Sequence, residues 1–182
     1  MEEIHQSIIH QAANGDINSF KVIYDVMKDY VYTVAYRITS SREDAEEVTQ
    51  DVFVNIYKNL KKFKFQSSLK TWVYRIATNT AINRAKKNLR GSGREVALDE
   101  NIPLQSFGET LTEQARKENN EELVKKFLDQ LNPDQRACIM LRDSEGLSYE
   151  EIAETLKINI NTVRSRLKRA REKLLQATGK EP

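Results

Sequence analysis

The sequence predicts an all-α protein: two small helical domains joined by a flexible acidic linker, the second domain carrying a helix-turn-helix. Three observations predict it. Apolar residues recur at three- and four-residue intervals over residues 4–89 and again over 123–174, the spacing of one buried helix face. No alternating β pattern stands out anywhere. Between the two periodic blocks, residues 91–115 (GSGREVALDENIPLQSFGETLTEQA) lose the periodicity and hold three of the six glycines and one of the three prolines. Domains are expected over residues 1–90 and 118–182, with a linker over 91–117.

In the first block, Phe20, Ile23, Tyr24, Met27, Val31, Val34, Ala35 and Ile38 form one stripe. Ser40 or Ser41 supplies an N-cap ahead of an acid-rich first turn. The next stripe is Ala45, Val48, Val52, Ile56 and Leu60. After the polar loop KFKFQSSLKT (62–71), Ser67 or Ser68 caps a third pattern through Leu69, Trp72, Val73, Ile76, Ala77 and Thr80. In the second block, Leu123, Phe127, Leu128 and Leu131 share a face. Asn132 then caps a helix that Pro133 opens, and Ala137, Ile139, Met140 and Leu141 continue it to about Gly146.

Near the C-terminus, Ser148 and Glu151 have the spacing of a capping box. Ile152, Ala153 and Leu156 point inward from the helix they open, and Asn159 caps the next one. That last helix buries Ile160, Val163, Leu167, Ala170 and Leu174, while Arg164, Lys168 and Arg171, with Ser165 and Arg169, form the opposite face. One face for packing and one for phosphates and base edges is what a recognition helix in the major groove requires. Asn161, Thr162 and Ser165 are small or hydroxylated and allow close approach; Arg164 and Arg166 are candidates for bidentate guanine contacts. An amphipathic hairpin with a solubilising basic face is the plainer alternative. Lys157 occupies the turn where glycine is common.

Charge is segregated along the chain although its net value is only +2. Residues 1–57 hold ten acids and four bases; residues 58–94 hold eleven bases and no acid. Residues 95–115 hold five acids and no base, and residues 160–175 six bases and one acid. Two cationic blocks around an anionic one suggest two contacts with a polyanion. Enzymatic function finds little support: there is no glycine-rich phosphate loop, no metal-ligand cluster and no nucleophile beside a base. Neither catalytic residues, metal nor cofactor are expected. The two histidines, His5 and His10, do not make a metal pair, and the single Cys138 sits in an apolar stretch as a small buried residue. No apolar run approaches the ~20 residues of a membrane span, and the N-terminus lacks a cationic start; a cytoplasmic protein with no membrane insertion is expected.

Four segments in order resemble the bacterial RNA polymerase sigma factors, specifically the short extracytoplasmic-function group: DAEEVTQDVF (44–53), FQSSLKTWVYR (65–75), its continuation through IATNTAIN to Lys87, and the helix-turn-helix at 147–171. The resemblance covers roughly residues 17–90 and 120–176. It implies an alternative sigma factor that delivers core polymerase to promoters. Asp44, Glu46, Glu47, Gln50, Asp51 and Phe53 would dock on the clamp helices of the largest subunit, and the second domain would meet the flap of the second-largest. The 65–87 loop and helix would melt and read the minus-ten element through Phe65, Gln66, Ser67, Ser68, Lys70, Arg75, Asn79, Asn83, Arg84 and Lys86. The 160–175 helix would read the minus-thirty-five element through Asn161, Thr162, Arg164, Ser165, Arg166, Lys168 and Arg169. An anti-sigma protein, often membrane-bound in this family, is a further implied partner; the chain would be nucleoid-associated when active and held at the membrane when such a partner restrains it. The linker would imitate nucleic acid in the RNA exit path, with an ordinary acidic tether the alternative. Trp72 fits core better than a stacking platform, and Asn79 also fits a buried structural amide. A stand-alone helix-turn-helix regulator is the competing function, but it gives FQSSLKTWVYR no task.

Overall fold

The computed structural model describes residues 4–91 and 125–177. Past Gly91, the linker expected over 91–117 lies outside them, as does Leu123 of the expected fourth stripe. Every element among the described residues is helical, and the chain divides into two compact units, Met1–Ala85 and Lys86–Pro182.

In the first unit, a short α1 (Gln6–Ala13) packs against α2 (Ile17–Thr39), which packs against α3 (Arg42–Asn59). Asp16 caps α2 by accepting a hydrogen bond from the Ser19 N–H at 2.8 Å. That bond holds its carboxyl below the usual carboxylate range, since both the side chain and backbone of Ser19 favour the ionised form. The two candidate serines at the next corner divide the task. Ser40 ends α2 in the left-handed conformation (φ 58°), and Ser41 caps α3 by accepting from the Asp44 N–H. The stripes predicted from spacing meet: Ile23, Met27, Val31 and Ile38 of α2 and Val48, Val52 and Ile56 of α3 are all fully buried. A single 3-10 turn (Leu60–Lys62) leads into the loop before α4 (Leu69–Gly91). Here Ser68, not Ser67, provides the cap, its Oγ accepting from the Thr71 N–H at 3.0 Å. Val73, Tyr74, Ala77, Ala81 and Ile82 form the buried face of α4.

The second unit begins with a helical segment at 125–129, followed by α5 (Pro133–Ile139). Asn132 and Gln135 form a reciprocal capping box around Pro133, which takes the first helical position because it has no N–H to leave unpaired. α5 runs into one π-turn (Met140–Ser144), closed by the Glu145 N–H donating to the Met140 carbonyl, before the chain reverses at Gly146 (φ 69°). Arg142 braces that reversal: it donates to the Leu147 carbonyl at 2.8 Å and lies over the Tyr149 ring. α6 (Tyr149–Leu156) opens with the predicted Ser148–Glu151 box, and α7 (Ile160–Ala177) follows after three residues. α7 packs on both α5 and α6 through Val163, Leu167 and Ala170, all buried; Ile160 and Leu174, expected inside, are half-buried at the ends of the stripe.

Lys157 acquires a structural account. It ends α6 at φ 53°, ψ 47°, and the Ile158 N–H returns to the Ala153 carbonyl at 3.0 Å. This is the left-handed C-terminal turn in which glycine is common because it has no Cβ. The side chain is tolerated there, at a backbone cost glycine would avoid. Lys157→Gly is therefore expected to raise stability by about 0.5–1 kcal/mol, the strain relieved exceeding the chain entropy glycine adds. Lys157→Val should lower it; thermal unfolding of both variants followed by circular dichroism checks the pair.

Candidate nucleic-acid and protein interfaces

Three surfaces carry the predicted site residues. On α3, Glu46, Glu47, Gln50 and Asp51 are exposed along one side, as a docking face requires. Asp44 and Phe53 depart from that expectation. Phe53 is 6% exposed and stacks edge-on against Tyr24 of α2 (centroids 4.7 Å apart), so it is core and not an anchor for a partner. Asp44 is buried and accepts a hydrogen bond from Arg84 Nε at 2.8 Å. Arg84 also pairs through Nη1 with Glu47. The guanidinium expected on a promoter phosphate is thus folded against α3, and both carboxylates keep it firmly protonated. A signal for this was present in the sequence: Asp44 lies four residues before Val48 and in phase with Val52 and Ile56, and Arg84 follows Ala77 and Ala81 on the inner face of α4.

The loop before α4 forms the second surface. Phe65 sits in a left-handed conformation (φ 56°), half-buried between His10 of α1 and Phe63, with ring centroids 4.8 and 4.7 Å away. Phe63 in turn meets Trp72, which is half-buried and serves this aromatic cluster. Beside it, Ile9, His10, Ala13, Asn14, Lys61 and Phe65 line part of an open cleft of about 270 Å³. Gln66 is exposed and Ser67 half-buried, whereas the Ser68 hydroxyl is engaged in capping α4. Lys70 reaches over the Tyr30 ring, 4.9 Å from its centroid. Along α4, Asn83 and Lys87 are exposed, and Arg75, Asn79 and Lys86 are half-buried. Asn79 donates to the Arg75 carbonyl at 2.8 Å, a bond within its own helix.

The third surface is the outer face of α7. Asn161, Arg164, Ser165, Lys168, Arg169 and Arg171 are exposed, and Thr162 is half-buried. Asn159 caps the helix by accepting from the Asn161 N–H at 2.8 Å, and Asn161 accepts from Arg164 Nη1 at 3.1 Å, which holds the arginine out over the first turn. Ser165 donates back to the Thr162 carbonyl. Lys168 lies 3.8 Å from Glu172 in a solvent-exposed pair of little energetic weight. Arg166 differs from the predicted guanine reader. Its side chain is 23% exposed and pairs with Asp134 at 3.2 Å, next to the buried Cys138. A two-residue step from Arg164 turns a side chain about 200° round the helix, so residues 164 and 166 face opposite ways. Sequence reasoning also missed Arg136, which is buried and donates to the Leu131 carbonyl at 3.0 Å; its place directly before the apolar run 137–141 was the available signal.

Among the described residues no group of His, Cys, Asp and Glu could hold a metal ion, and no helix is long and apolar enough to cross a membrane.

Comparison with known proteins covers both units. Residues 23–91 match the family described as Sigma-70 region 2, and residues 121–174 match Sigma-70, region 4. The ECF RNA polymerase sigma-E factor of Haemophilus influenzae is 34% identical over 92% of this chain and 91% of its own length. The ECF RNA polymerase sigma factor SigW of Bacillus subtilis is also 34% identical, over 96% of both chains. The solved sigma factor RpoE of Bartonella quintana, in complex with the anti-sigma factor NepR, superposes with a TM-score of 0.60 at 25% identity, covering 88% of this chain and 97% of that one.

Burial pushes the Cys138 thiol up to about 11, against a smaller opposing pull from Arg166. Cys138 should therefore react with a disulfide reagent at pH 8 at least about a hundredfold more slowly in the native protein than in denaturant. Stopped or timed release of the chromophore measures the ratio.

Proposed function

The chain belongs to the extracytoplasmic-function group of RNA polymerase sigma factors and directs promoter-specific transcription initiation; from that premise we propose how its surfaces divide the work. Residues 1–90 form the unit that docks on core polymerase and reads the minus-ten element, and residues 118–182 the unit that reads the minus-thirty-five element. The observation that carries this reading is the charge separation within the first unit. Exposed acids line α3, while residues 58–94 hold eleven bases and no acid, nine of them along the 3-10 turn, the loop and α4. An acidic helix face suits the basic surface of a protein partner by electrostatic complementarity, and an acid-free basic block suits DNA.

Glu46, Glu47, Gln50 and Asp51 are the polymerase contacts on the clamp helices, steering and orienting the complex from an exposed position. Gln66 and Ser67, beside the Phe65 ring, are the groups to receive an unstacked base, whose removal from the duplex costs a few kcal/mol, and Asn83, farther along α4, meets base edges. Lys70, Arg75, Lys86 and Lys87 hold the backbone of the opened strand. On α7, Arg164 with Asn161 reads base edges, and Lys168 and Arg169 bind phosphates. The second unit also meets the polymerase flap. Within the linker over 91–117, residues 95–115 carry five acids and no base, as a segment imitating nucleic acid in the exit path would. The chain itself performs no catalysis and works in the cytoplasm. The Bartonella relative's complex with an anti-sigma factor supports an anti-sigma partner here as well. A stand-alone regulator is not favoured, since it leaves residues 23–91 without a task.

Run-off transcription on promoter libraries tests the reading. Core polymerase with this protein should initiate at a defined promoter class that core alone ignores; tight binding to a palindromic duplex without core would overturn it. In the same assay, Arg164→Ala should relax discrimination at one minus-thirty-five position by about tenfold. Lys168→Gln should instead weaken binding to every promoter alike and lower the slope of log affinity against log salt by about one.

A further inference from the structure

Arg84 lies on the helix expected to hold promoter DNA, yet it spends two of its five N–H donors on carboxylates of the helix expected to hold polymerase. The two carboxylates are unequal. Asp44 has a side chain 12% exposed and is reached through Nε at 2.8 Å. Glu47 has a side chain 47% exposed and is reached through Nη1. Desolvation fixes the first pair, because a buried carboxylate without its cation would be left uncompensated. The second is a rim pair in contact with water, weak enough to be exchanged for another partner. Glu47 stands in line with Glu46, Gln50 and Asp51 on the docking face, so the carboxylate that restrains the outer end of Arg84 is one a basic partner would claim.

We propose that Arg84 is a positioning residue with Asp44 as its fixed anchor and Glu47 as an exchangeable arm. A basic partner helix docking on α3 takes Glu47, and the released end of the guanidinium, still tethered to Asp44, becomes available to a promoter phosphate. One side chain thereby links occupancy of the α3 face to the strength of the α4 contact, and the link is reciprocal. The inference rests on the docking and minus-ten assignments proposed above and adds the connection between them.

Two measurements on the full-length protein decide it: the affinity for core polymerase, and the salt dependence of promoter-fork binding by the assembled holoenzyme. With Glu47 no longer held back, Arg84→Gln should bind core about two- to fivefold more tightly than the wild type. Its holoenzyme should show a salt slope lower by about 0.9, the loss of one phosphate contact. If the slope falls while core affinity is unchanged, Arg84 is a phosphate ligand throughout and the exchange does not occur. If the slope is unchanged, whatever the core affinity, Arg84 is only a lock between two helices. Either result overturns the proposal. Because the single substitution orphans Asp44 and can unfold the unit, Asp44→Asn/Arg84→Gln is measured alongside; it removes both charges together and carries the same expectations. Circular dichroism identifies a temperature at which the variants are folded, where a merely structural role would leave core affinity unmoved. Failure of the wild type itself to bind core would refute the docking assignment, and with it the device, whereas the variant results above overturn the device alone.

Discussion

A carboxylate withdrawn from water between helices needs a cation of its own, and Asp44 obtains one from forty residues along the chain. That requirement fixes more than one pair of atoms. It sets the rotation of α4 about its axis relative to α3, because only one orientation brings Arg84 Nε in line with Asp44. The same rotation turns Asn83 outward and puts Ala77, Ala81 and Ala85 against the core. Alkyl packing alone is non-directional and would tolerate small rotations of a helix whose inner face carries three alanines. The ion pair supplies direction where the alanines cannot, and so orients the exposed face of α4 proposed to meet DNA.

A similar economy appears in α7. Its cations look uniform in sequence, but the helix assigns them to two sides. Arg164, Lys168, Arg169 and Arg171 face water, while Arg166 turns inward to Asp134. Internal use of one arginine gives the recognition helix a polar tie to α5 in addition to Val163, Leu167 and Ala170. The helix proposed to read DNA is thus fixed by its own chemistry as well as by packing. The capping residues contribute at both ends of the turn: Asn159 meets the first N–H groups of α7, and Arg142 holds the Leu147 carbonyl ahead of α6.

Much of the fold was legible because helices announce themselves through period and punctuation. The stripes of α2 and α3, the Asn132–Pro133 start and the Ser148–Glu151 box all follow from local rules and stand in the structure as read. The sequence left two cap assignments open, Ser40 against Ser41 and Ser67 against Ser68, since a serine's role depends on the backbone angle at its own residue. The sites were less legible. Residue type put Arg84 and Arg166 among the expected DNA contacts, but a guanidinium serves a buried carboxylate just as well, and only phase along the helix separates the uses. Arg84 and Arg166 are turned inward to carboxylates in that way, Asp44 and Phe53 lie on the core side of α3, and in each case the period that located the core also pointed inward. Lys157 shows the converse: an unexpected residue in a turn whose geometry was nonetheless the usual one.

The corner at Ser40 and Ser41 bears on how the first unit forms. α2 and α3 are joined by these two residues alone, and their buried stripes pack along much of both helices. Closing so short a connection costs little chain entropy, so the two helices can find each other before α4 arrives with Arg84. The α2–α3 hairpin then offers itself as the folding nucleus, with α4 docking late. In kinetic terms, substitutions at Val31 or Val52 would slow folding, whereas substitutions on the inner face of α4 would chiefly hasten unfolding, a division that φ-values measure directly. The surface proposed to hold polymerase would thus be complete on the nascent chain before the surface proposed to hold the promoter.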